Sequence, residues 1–222
     1  MNRRQLTLSI AGWALTAHAR AAVSDAEAAS GIRAALERGA LAAVAQLGVT
    51  DGFLGNAKVR IGLPKHLEEA ARLLRKIGQG RQIDELVTAM NRAAEAAIPE
   101  AKSLFVSSVK AITVSDAWQV VRGGPTSVTD FFATRTRAPL GERFLPIVTH
   151  ATEKLQLAKR YDALASKAAG LGLIKGDEVN LERHVTAKAL DGLFFMVAEE
   201  EKKIRANPVQ TGSAILKKVF GG

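Results

Sequence analysis

The sequence predicts an all-α fold, a single compact multi-helix bundle with a buried central helix near the C-terminus. Three observations lead there. Aromatic residues make up only 5% of the chain while alanine is abundant, a mixture that suits closely packed helices better than sheets, which favour β-branched and aromatic residues. Apolar residues recur at helical spacing between dense start and stop signals. Alternating strand patterns and internal repeats are absent, and 222 residues are enough for one well-filled core.

The first element is expected to be a cleavable signal peptide over residues 1–21. Arg3 and Arg4 form a positive start and Leu6 to Ala17 is mostly apolar; Ala17-His18-Ala19 and Ala19-Arg20-Ala21 both have the small-x-small form of a cleavage site. The apolar run is shorter than the roughly 18 residues that cross a bilayer. "LDGLFFMVA" is also too short and runs into three glutamates, so no transmembrane segment is expected in the mature chain. A periplasmic or secreted protein follows from these features. Sec export is expected over the twin-arginine route, because Thr7 interrupts the apolar pair that should follow Arg3-Arg4. The diluted apolar run and Arg20 are nevertheless twin-arginine traits.

Residues 22–222 read as one all-helical domain. "SDAE" is a capping box at Ser24 and Glu27, ahead of Ile32, Leu36, Ala40, Ala43 and Leu47 at helical spacing, and Gly48 ends that helix. "VTDGFLGNAKVRIGLP" has no helical period, and its "KVRI" has the look of a short extended segment. Pro64 is placed to begin a helix running to about Ile77. A long helix follows from Gln82, to be kinked or divided at Pro99. "TVSDAWQVVRGG", "TSVTDFFATRTRAP", "PLGERFLPIVTHATEKLQL" and "KRYDALASKAAGLG" predict four more, with Pro146 a bend in the third. "LERHVTAKALDGLFFMVAEEEKKIRANP" is a long helix ending at Asn207-Pro208, and "QTGSAILKKVFGG" a short tail helix.

Charge and composition restrict the partners. The formal net charge is +9; taking the three leader arginines from 31 basic residues leaves 28 against 22 acidic ones, a net +6. That charge is expected to form a basic but scattered surface, the alternative being contact with anionic lipids, cell-wall polymers or nucleic acid. Nucleic acid is not expected, because no dense Lys/Arg block interleaves with aromatic residues. The chain has no cysteine, which excludes disulfides, thiolate metal sites, cysteine nucleophiles and lipoprotein anchoring. His18, His66, His150 and His184 fit no metal-ligand spacing, and "GDEVNLE" lacks the order and central glycine of a calcium loop. No metal or cofactor is therefore expected. Phosphate-binding glycine loops, G-x-S-x-G and dinucleotide fingerprints are also missing.

Leu193 to Ala198 is apolar all round, so this helix should run through the centre of the bundle. With Leu193 as origin and about 100° per residue, Ala189, Met196, Val197 and Ile204 fall within roughly 60° of it. Glu200 falls at about −20° on the same scale, inside the stripe, whereas Glu199 and Glu201 lie off it. A carboxylate there is expected to sit in a buried ion pair or at an emerging helix end; the alternative is an acid/base group in a cleft. Glu95 and Arg92 of "NRAAE" are further catalytic candidates. In "DGFLGNAKVRIGLP", Phe53 is expected to plug the bundle, the alternative being a ligand-binding rim with Arg60 supplying charge.

"DGFLGNAKVRIGLP", "MNRAAEAAIPEAKSLF", "TDFFATRT", "RFLPIV", "ALDGLFFMVAEEEKKIRANP" and "LKKVFG" occur in this order and resemble the bacterial domain-of-unknown-function 4197 family over roughly Ser24 to Gly221. The resemblance implies a small exported helical protein and supplies no catalytic residues. Phe131 stands where a Tyr is common in that family. Three functions follow. The first is non-enzymatic binding of an apolar or amphipathic ligand or an envelope partner. The second is carboxylate acid/base catalysis, and the third assembly as a homo-oligomer.

Overall fold

The computed structural model describes residues 23–111, 113, 117–170 and 180–221, without the side chains of His66 and Trp118. The expected leader and most of "GDEVNLE" lie outside them. The described residues form nine α-helices and no strand. Helix α1 spans Asp25–Leu47, and its capping box is in place: Ser24 Oγ accepts from the Glu27 N–H while Glu27 Oε2 accepts from the Ser24 N–H. After a loop come α2 (Lys65–Lys76), started after Pro64, and α3 (Gly80–Glu100). Pro99 falls in the last turn of α3, and α4 (Lys102–Ala111) begins two residues after that helix ends.

Helix α5 is short, Ala117–Val121. Helix α6 runs unbroken over Ser127–Lys154, joining two segments that the sequence predicted as separate helices. Pro139 and Pro146 lie inside it and both are exposed. Each removes one backbone bond on the solvent side, where water can satisfy the freed carbonyl, so the helix continues. Helix α7 covers Leu157–Gly170 and α8 Leu181–Ala206, capped by the Asn180 side chain. A 3-10 turn at Pro208–Thr211 leads into α9, Ala214–Phe220.

Helix α8 lies between α1 and α6, the central position expected for it. Leu193, Phe194, Met196 and Val197 are all buried, within one apolar cluster drawn from all nine helices. Phe132 meets Phe194 edge to face at 5.9 Å, and Phe105 meets Phe144 at 5.7 Å. The α1–α8 crossing depends on Gly39: a Cβ there would lie 2.9 Å from Val197 Cγ1, inside van der Waals contact. No helix among the described residues is long and apolar enough to cross a membrane.

Candidate functional site

Two buried side chains one turn apart on α3 hold the loop that follows α1. Asn91 and Glu95 share a helix face by their i, i+4 spacing. Asn91 Oδ1 accepts from the Ile61 N–H, and its Nδ2 donates to the Ile61 and Val87 carbonyls, each at 2.8 Å. The expected extended pairing of "KVRI" is thus made by a side-chain amide, not by a strand. Glu95 Oε1 accepts from the Phe53 and Leu54 N–H groups, both at 3.0 Å. Its Oε2 accepts from Arg92 Nη1 at 2.6 Å, and Arg92 Nη2 reaches Asp51 Oδ1 at 2.8 Å. The hydrogen bond to Glu95, followed by that to Asp51, raises the Arg92 pKa above its ordinary value. Asp51 adopts φ 65°, a left-handed turn that Asp tolerates better than most residues.

The structure therefore brings Glu95, Arg92 and Phe53 together. Phe53 is fully buried against Gly192, where a Cβ would come 2.7 Å from Phe53 Cε1. The loop plugs the bundle. Arg60, in the same loop, is exposed and makes no ion pair with a described residue.

Glu200 is not with them: it stands in the ion pairs expected of it near the emerging end of α8, while the carboxylate buried in the core is its neighbour Glu201. The Glu200 side chain is 14% exposed and pairs with two solvated cations, Arg38 Nε at 3.5 Å and Lys203 Nζ at 3.3 Å. Glu201 is 3% exposed. It accepts from the Val128 N–H at 3.1 Å, the Thr129 N–H at 2.8 Å and the Thr129 hydroxyl at 2.7 Å. Arg205 completes its shell, with Nε donating to Oε1 at 2.8 Å. The same guanidinium donates to the Val121 carbonyl and to Ser127 Oγ, fastening α5 and α6 to α8.

The reason for the exchange is the width of the buried arc. Packed between α1 and α6, α8 buries residues well to either side of Leu193, and burial near its end depends on which neighbour reaches it. The first turn of α6 does so on the Glu201 side, offering unpaired N–H groups and positive potential to a carboxylate. No local sequence signal announces this: Thr126 precedes α6 where a cap belongs, but its hydroxyl bonds Asp130 and makes no cap, so that helix takes its acceptor from α8.

The remaining concave surfaces are open. One groove of about 670 Å³ between α3 and α7 is lined by charges that pair with each other, such as Arg81 and Arg160 with Glu85. A second, of about 480 Å³, lies between α4 and α6. Arg135 and Arg143 line it together with Ser107, Ser108 and Thr136, and neither guanidinium has an acidic partner among the described residues. Sequence reasoning singled out neither arginine. No group of three or more His, Asp or Glu side chains among the described residues is arranged to hold a metal ion.

The family model described as protein of unknown function (DUF4197) matches residues 22–221. No curated protein and no solved structure matches the chain. A match of that extent begins where the capped α1 begins and ends with α9, so it takes in every helix described above: the chain belongs to the DUF4197 family.

Proposed function

We propose that the chain is an exported, non-enzymatic protein that binds an envelope component on its surface, in the groove between α4 and α6. Export is supported by the Arg3-Arg4 start, the short apolar run and the small-x-small sites, and by a family match that starts at residue 22, directly after Ala21. The observation that carries the binding reading is the pair Arg135 and Arg143, which face one groove without an acidic partner among the described residues. Buried carboxylates elsewhere are occupied. Both oxygens of Glu95 and of Glu201 accept hydrogen bonds from backbone N–H groups or arginine. A general acid or base instead needs an oxygen facing its substrate, which favours binding over the acid/base alternative.

The test is expression with the leader intact, cell fractionation, N-terminal sequencing and native mass spectrometry. Processing near Ala21 and co-sedimentation with washed envelope material are expected. An unprocessed cytoplasmic product would remove the export half. A processed protein that ignores envelope material and carries a small apolar adduct, or forms a stable homo-oligomer, would replace the surface reading with one of the other two.

A further inference from the structure

The groove between α4 and α6 has a chemistry that narrows its ligand. Arg135, Pro139 and Arg143 follow one another at i, i+4 and i+8, so they line one face of α6. At 1.5 Å rise per residue the two arginines are about 12 Å apart along the axis. Arg135 is held in place: its guanidinium stacks on the Phe131 ring, 3.8 Å from the centroid. Stacking uses the face of the guanidinium and leaves its N–H edges for an acceptor. These are the charge-assisted donors that favour phosphate or carboxylate.

The opposite polarity comes from the hydroxyls. Ser107 Oγ and Ser108 Oγ both donate to the Leu104 carbonyl, at 3.0 and 2.8 Å, and Thr136 Oγ1 donates to the Phe132 carbonyl at 2.7 Å. A carbonyl can only accept, so each hydroxyl hydrogen is committed to the helix and each oxygen keeps lone pairs for an incoming donor. Pro139 adds to this, having no N–H to give the Arg135 carbonyl four residues before it. An anion without several hydroxyls can satisfy few such acceptors. A ligand carrying both an anionic group and several hydroxyls answers both halves of the groove.

We infer that this groove binds an anionic saccharide, a phosphorylated or carboxylated sugar of about two rings, by Arg135 and Arg143 on the anion and Ser107, Ser108 and Thr136 on the sugar hydroxyls. The inference rests on the surface-binding reading above and names its ligand class. The 480 Å³ of the groove falls in the range of small-molecule sites.

Calorimetric titration of the protein at low salt tests it with trehalose 6-phosphate, trehalose and inorganic phosphate as probes. The phosphorylated disaccharide should bind at least tenfold more tightly than either part alone. Arg135→Gln and Arg143→Gln should each weaken it at least tenfold with unchanged circular dichroism and melting. Lys154→Gln, which removes the same charge from the exposed end of α6, should change it less than twofold. Phosphate binding as tightly as the sugar phosphate would overturn the saccharide class, and so would equal losses in all three variants. Co-sedimentation with envelope material but binding of no probe would overturn the ligand class alone. Loss of both would remove the surface reading with it.

Discussion

Glu200 and Glu201 are chemically identical neighbours in different surroundings, which lets two substitutions separate solvation from burial. Replacing Glu201 by Ala leaves the first N–H groups of α6 and the Arg205 guanidinium without their acceptor. Loss of one partner of a buried pair costs about 3–5 kcal/mol, and Glu201→Ala should lose stability of that order in urea unfolding. Glu200→Gln removes contacts to cations that are 44% and 66% exposed, for which exposed pairs suggest less than about 1 kcal/mol. The reverse ranking would refute the cap assigned to Glu201. At the same end of the bundle, where α9 packs against the start of α1, Lys218 and the Ser24 N–H hold the Glu27 carboxyl down from 4.5 to about 2. A folded-state pKa below the unfolded one adds stability above the unfolded value and loses it as pH falls through the folded one. The α1–α9 contact should therefore weaken as pH drops from 4.5 to about 2. Lys218→Met should move the Glu27 titration, followed by carbon-detected NMR, back toward the ordinary range; because the pair is solvated, high salt should do part of the same. An unchanged titration in Lys218→Met would exclude the lysine as the cause. The capping box was legible in the sequence because it joins residues three apart. The Glu201 cap was not, because its acceptor and donors are separated by 72 residues.

Helices meet closely where a glycine removes a side chain, and these contacts set the strain that each element tolerates. Gly39→Ala would press on Val197 at the α1–α8 crossing, and Gly192→Ala would press on the Phe53 ring under its loop. Overpacking of this kind costs about 1–3 kcal/mol, and both variants should show it as a lower urea midpoint. Gly124→Ala meets nothing within 4 Å and should stay within about 0.5 kcal/mol of the parent. Equal effects at all three positions would mean that backbone freedom, not packing, decides. Hydrogen exchange adds a local reading: Asn91→Ala removes the acceptor of the Ile61 N–H, so that amide should exchange far faster while those in α8 hardly change. Uniform acceleration would instead show that the loop and the core open as one unit. Of these elements, α1, α2 and α8 were readable from caps, Pro64 and Asn207-Pro208. The continuity of α6 was not, since a proline in the sequence carries no mark of the face it will occupy.

At the scale of the whole molecule, net charge and local geometry make different predictions about envelope binding. The fold class was visible from composition because alanine content and helical period are sums over local choices. Arg135 and Arg143 look like ordinary solvated positions on a helix until α4 is laid beside α6 and closes a groove around them. A chain of net +9, or +6 if residues 1–21 are removed, would adhere to any anionic surface at low ionic strength, and that adhesion alone would say little about the groove. Two doubly substituted proteins of equal net charge separate the effects. Arg135→Gln/Arg143→Gln removes both cations from the groove, and Lys154→Gln/Lys217→Gln removes two exposed cations outside it. Screening over about 10 Å at 0.1 M salt weakens contacts between solvated charges, so binding of the parent to washed envelope material should fall steadily as salt rises. If the groove governs binding, the first variant should bind at least tenfold more weakly than the second at every salt concentration. If net charge governs it, the two variants should give superimposable curves, and the site between α4 and α6 would have to be abandoned.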